Sequence, residues 1–142
     1  MLHAAVLALA VASPAADQAV IVNSGSTNTA GYRLRISADG SAYLNQANLP
    51  LHRQISPQLV ARFFNELHQT GGVASLPDAH CMKSASFGTT TRIEYRGQTS
   101  PDISCPANST LERALYVDAQ AIANAAGVSM LPGNGGSGVP GR

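Results

Sequence analysis

The chain reads as an α+β domain in which an antiparallel sheet built from hairpins carries two helices on one face, a two-layer sandwich. Three observations predict it. The stretch "GYRLRISADGSAYLNQ", residues 31–46, alternates apolar and polar residues on both sides of an Asp-Gly turn. "ISPQLVARFFNELHQTGG", residues 55–72, repeats its apolar residues at helical spacing between a Ser-Pro start and a Gly-Gly stop. "TRIEYRGQT", residues 91–99, then returns to alternation before a second capped helix. Hairpins interrupted by helices argue for an antiparallel sheet covered on one side.

The elements follow in order. "AVIV", Ala19 to Val22, is a short apolar run that reads as a buried strand. In the first hairpin Tyr32, Leu34 and Ile36 point one way and Arg33 and Arg35 the other, with Asp39 and Gly40 tolerating the positive φ of a tight turn. "LPLHRQI" continues as an extended piece, and Pro50 argues that it is an edge or irregular. For the first helix Ser56 is the N-cap, Pro57 fits the first helical position, and Ile55 staples against Val60. Leu59, Val60, Phe63, Phe64 and Leu67 make its core face, and His68 complements the dipole near its end. In the second hairpin Ile93 and Tyr95 face one side, Arg92, Glu94 and Arg96 the other, with the turn near Arg96 and Gly97. The second helix opens with a Ser109 and Glu112 capping box and closes at Gly127.

A chain of 142 residues with 44% hydrophobic content fits one globular domain. Residues 17–128 are expected to form it. A formal charge of +1 builds in no general pull toward nucleic acid or anionic lipid, so no nucleic-acid partner is expected. Residues 1–15, with an apolar stretch from Ala4 to Ala12 followed by small residues, suit a secretory signal peptide cleaved near Ala15, and the stretch is too short to span a bilayer. Only His3 stands where such a signal usually carries a Lys or Arg. Residues 129–142, rich in Gly and Pro, read as a disordered tail. A secreted or periplasmic protein is the expectation.

Cys81 and Cys105 are the two cysteines, and an even count in an exported chain suggests a disulfide. Cys81 precedes the second hairpin and Cys105 follows it, which brings them near each other. A bridge of this span stabilises by roughly 3 to 4 kcal/mol in the chain-entropy model. A zinc site would need further ligands, and only His80 stands near.

The order of a polar small-residue loop, then "GYRLRISADGSA", then "ISPQLVARFFNEL" resembles an uncharacterised bacterial family of secreted or lipid-anchored domains of unknown function. The likeness spans residues 20 to 125 in layout. Where such proteins often carry a Cys-Pro pair in the loop, Ser26, Thr27 and Asn28 stand here. The resemblance implies a fold and a compartment and carries over no catalytic residue.

Candidate chemistry starts at the uncharged loop "NSGSTNTAG". Ser24, Ser26, Thr27, Asn28 and Thr29 suit a neutral polar ligand such as a sugar or peptide, or only a solvated connection between strands. A phosphate loop is set aside, because a strand follows and no Lys is present. Arg33, Arg35, Arg92 and Arg96 are the basic-face candidates, with Tyr43 positioned to stack nearby; they would meet a polyanion or simply pair with Glu94 across the sheet. "PDAHC", residues 77–81, is the densest titratable cluster. No nucleophile elbow, HExxH, metal set or cofactor motif is present, and the eight acids offer no convincing glycosidase pair. The leading expectation is a non-catalytic binding or interaction module whose partner is a protein or a polar small molecule. A small hydrolase centred on the 24–29 loop and a polyanion or cell-surface binder using the arginine face are the alternatives.

Overall fold

A computed structural model describes residues 16–129. The expectations for residues 1–15 and for the tail from residue 130 lie outside the described residues. Six strands form one antiparallel sheet: β1 (Gln18–Asn23), β2 (Tyr32–Ser37), β3 (Ser41–Gln46), β4 (Leu49–Gln54), β5 (Thr91–Tyr95) and β6 (Gln98–Thr99), in the spatial order β4-β3-β2-β1-β5-β6. The helices are α1 (Pro57–Gln69) and α2 (Thr110–Ala126). The first hairpins meander outward from β1 to the β4 edge. The chain then crosses through α1, and β5 returns to the other side of β1.

Register follows the alternation. Ile21 lies between Leu34 and Ile93 on neighbouring strands, and all three are fully buried beneath the helices. Burial of each such side chain contributes about 1.5 to 3 kcal/mol. Phe63, Leu67, Leu115 and Ile122 complete the layer from above. β4 is exposed along its whole length, as Pro50 argues.

Turn chemistry agrees where glycine is needed. Gly40 takes φ 88°, while Asp39, expected to share the positive φ, instead accepts the Ser41 amide with its carboxylate. The β3–β4 turn places Ala47 and Asn48 at φ 50° and 59°, a primed turn built without glycine.

Helix ends follow their capping residues. Ser56 accepts the Leu59 amide, and Ile55 and Val60 both enter the core. At the far end of α2, Gly127 takes φ 95° and the Val128 amide returns to the Ala123 carbonyl, closing the helix as a Schellman turn. The capping box of α2 is only half formed. Ser109 accepts the Glu112 amide, but the Ser109 amide bonds Ala107, and the Glu112 side chain turns inward. It is 0% exposed, and neither carboxylate oxygen has a hydrogen-bond partner among the described residues. Burial pushes this carboxyl up, against the pull of the nearby Ala107 amide.

The two helices are joined by charge on an otherwise apolar seam. Arg62 donates to both oxygens of Asp118, at 2.6 and 2.7 Å. Glu66, one turn beyond Arg62, is buried beside them, and burial together with the Asp118 charge raises its pKa to about 7.

Candidate functional site

The uncharged loop that follows β1 owes its composition to a second loop. Gly25 at φ 66° and the close approach of Gly31 to the Asn23 carbonyl fold residues 24–31 back on themselves, leaving no room for a Cβ at either glycine. The folded loop then zips onto residues 84–90. The Ser24 hydroxyl accepts the Thr90 amide while the Ser24 amide donates to the Thr90 carbonyl. The Ser26 hydroxyl and the Asn28 amide both donate to the Ser86 carbonyl, and the Thr27 hydroxyl reaches the Ala85 carbonyl at 3.5 Å. Ser24, Ser26, Thr27 and Asn28 therefore hold the partner loop. Of the loop candidates, Thr29 lines a cavity.

The partner loop is fixed from its other side. Cys81 and Cys105 are joined, with Cα atoms 5.8 Å apart. The Lys83 ammonium donates to the Thr89 carbonyl, the Ser104 hydroxyl and the Asp102 carboxylate. Asp102 also accepts the amides of Thr91 and Ser104 and is buried. Burial alone would raise its pKa, but Lys83, the Ser104 hydroxyl and the two amides outweigh it and hold the carboxyl below its ordinary value.

Between these loops and the C-terminal half of α2 lies a cleft of about 130 Å³. Its helical wall is Tyr116, Gln120 and Asn124, spaced four residues apart and so stacked on one stripe. Tyr32 and Gln46 rise from the sheet beneath, and Phe87, 67% exposed, stands at the mouth. No Asp, Glu, Lys, Arg or His lines it. Asn23 and Gln46 are already committed. The Asn23 amide bonds the hydroxyls of Thr89 and Thr91, and the Gln46 amide bonds the carbonyls of Ala30 and Ser129. Burial and the facing Tyr116 phenol raise the Tyr32 pKa to about 12, so both hydroxyls remain protonated donors at neutral pH.

The arginines divide. Arg33 and Arg35 lie on the open sheet face and Arg92 beside them is exposed. Arg33 is held by Glu94 through two hydrogen bonds of 3.2 and 2.7 Å, the cross-strand pairing expected of such alternation. Arg35 sits 5.4 Å over the Tyr43 ring, which stacks in turn on His52, and Arg92 donates to the Ser100 carbonyl. Arg96 leaves that face. At φ 49° in the β5–β6 turn, its guanidinium covers the Tyr95 ring and bonds Asp17. Asp17 also accepts from the Tyr95 hydroxyl and meets His68 at 3.2 Å, so His68 has a partner as well as a helix end. His80 is exposed and Cys81 is bridged. Among the described residues no group of three or more His, Cys, Asp or Glu could hold a metal ion.

Tyr116, Gln120 and Asn124 are not among the candidates drawn from the sequence. Their signal was a polar stripe at four-residue spacing beside the apolar stripe of Leu115, Ala119, Ile122 and Ala126. Compared with models of known families, with curated proteins and with solved structures, the chain matches none. The resemblance to secreted bacterial domains thus rests on the residues that carry it.

Proposed function

We propose that this chain is an exported, non-catalytic binding domain that takes a small uncharged polar ligand in the cleft beside α2. The observation that carries this reading is the lining. It offers hydroxyls, amides and aromatic rings, and no side chain that would act as nucleophile, general base or ion partner near neutral pH. The disulfide supports export, since such bonds persist in oxidising compartments. Among the described residues no helix is long and apolar enough to cross a membrane.

The test is a titration of isotope-labelled protein with small neutral solutes, acetamide and glycerol, against charged ones, acetate and guanidinium. Neutral solutes should move the amide signals of Tyr116, Gln120 and Asn124 in one contiguous patch and leave the arginine face unmoved. Perturbation centred on Arg33, Arg35 and Arg92 by the charged solutes alone would overturn the reading in favour of an ionic partner on the open sheet face.

A further inference from the structure

We infer that the cleft beside α2 is a subsite for one neutral pyranose ring, gripped by Gln120 and Asn124 and stacked against Phe87. The inference rests on the binding reading above and names its ligand class. Three features of the cleft carry it.

The first is which polar groups are unused. Asn23 and Gln46 are spent on the loops, but the amides of Gln120 and Asn124 make no hydrogen bond to any other described residue. A primary amide offers two donors and an acceptor in one plane, which matches adjacent ring hydroxyls that each donate and accept. One turn apart on the helix, the two side chains leave Cβ atoms about 5 to 6 Å from each other. That separation suits two edges of one ring better than two ends of an extended chain.

The second feature is aromatic. Phe87 is 67% exposed on a loop held from both sides, by the zipper to residues 24–29 and by Lys83 and the disulfide. An exposed phenylalanine on a fixed loop offers its face to C–H groups, and a pyranose has an apolar face of that kind. The Tyr32 and Tyr116 phenols line the same cleft, both kept protonated and able to donate to ring oxygens.

Charge and size exclude the competing chemistries. With no charged side chain on the lining, a zwitterion, nucleotide or sugar acid would lose its hydration without gaining a partner. A volume of about 130 Å³ is well below the roughly 300 Å³ at which drug-sized sites begin, so the cleft seats one face of a single ring at most and the rest of any glycan stays outside. A peptide would be expected at a free strand edge, and the cleft exposes none, because β2 is paired on both sides.

The experiment is an amide-signal titration of the oxidised protein with methyl glucopyranoside, methyl galactopyranoside and N-acetylglucosamine, beside glucuronate and a blocked glycine amide. At least one neutral pyranose should saturate shifts at Phe87, Tyr116, Gln120 and Asn124. Gln120→Ala and Asn124→Ala should each weaken that binding at least about tenfold, and Phe87→Ala should weaken it while leaving the rest of the amide spectrum in place. Saturable binding of the blocked amide at the cleft, with no pyranose bound, would overturn the ligand class and leave the binding reading standing. Glucuronate binding as tightly as the neutral rings would overturn it too. No saturable shift at the cleft from any of the five would overturn both.

Discussion

The two ends of the sheet are built on opposite principles. At the end where β1 begins, charged and titratable groups meet and satisfy one another. Asp17 is shared by the hydroxyl of the buried Tyr95 and by the exposed His68 and Arg96, and these partners, Tyr95 first, hold its carboxyl below the ordinary value. At the end where β1 stops, the charged groups are withdrawn behind the loops as the Lys83–Asp102 pair, and the cleft in front of them presents only neutral donors and acceptors. Exposed ion pairs contribute little and hold nothing open. The neutral end is the reverse, since two loops are fixed at some cost in chain entropy and the side chains they frame are left unused. A wall that costs order and encloses unspent hydrogen bonds is what a binding site requires; a closed surface network is only a seam.

The largest expected effect comes from cutting the wall. With Cys81→Ser and Cys105→Ser together, stability should fall by about 3 to 4 kcal/mol, and Tm by roughly 10 to 20 °C, measured by thermal unfolding of oxidised and mutant protein. The loss should be local in the folded state as well. In hydrogen exchange the Asn28 amide, which donates to Ser86, should lose protection before the Ser100 amide, which donates to Ile93. Equal loss at both would mean that the bridge does not single out the cleft wall.

Removing the ammonium behind the same wall is the next step down. Lys83→Met leaves the buried Asp102 with the Ser104 hydroxyl and its two amide partners but no cation, and should cost about 1 to 3 kcal/mol in urea unfolding at pH 7. The sign with pH follows from the direction of the shift. Asp102 is held below its ordinary value in the folded protein, so it contributes stability at neutral pH that disappears as pH falls through its folded value. In Lys83→Met that acid dependence should flatten.

Between the two ends, the seam of α1 and α2 should respond in the opposite direction. Glu66 is raised to about 7 from 4.5, so the folded protein keeps a proton that the unfolded chain releases. Stability from this group is fully present below pH 4.5 and is lost as pH rises toward about 7. Glu66→Gln should remove that decline and gain on the order of 1 to 2 kcal/mol above neutrality. Parallel stability curves for the two proteins between pH 5 and 8 would show that Glu66 is ionised in the fold.

How much of this was legible in the sequence follows from the range of the interactions. The hairpins, both helices and their caps are local, written in residues such as Ser56, Pro57, Gly40 and Gly127, and they were readable. The disulfide was readable because the second hairpin returns Cys105 toward Cys81. Glu112 was misread because a capping box is a statement about four residues, and burial against the sheet decides where the carboxylate goes. Arg96 was misread because alternation was carried one residue past the strand, into a turn at positive φ. The loop of Ser24 to Thr29 was rightly seen as polar and uncharged, but its partner is 60 residues away. No local pattern distinguishes a hydroxyl aimed at Ser86 from one aimed at a ligand. The cleft itself was hidden for the same reason, since it needs α2, two loops and the sheet at once.

The smallest effect is the sharpest test of the contrast. Arg96→Ala removes an exposed guanidinium that covers Tyr95 and touches Asp17, while Asp17 keeps the Tyr95 hydroxyl and His68. The Asp17 and His68 side chains are exposed, so water replaces what is lost at the carboxylate. The substitution should therefore change stability by no more than about 0.5 kcal/mol, and raising salt should not alter the difference between variant and parent beyond that. A cost near that of Lys83→Met would show that the charged end is strained or ordered in a way surface pairs ordinarily are not. The unused groups of the cleft would then no longer set one end of the molecule apart from the other.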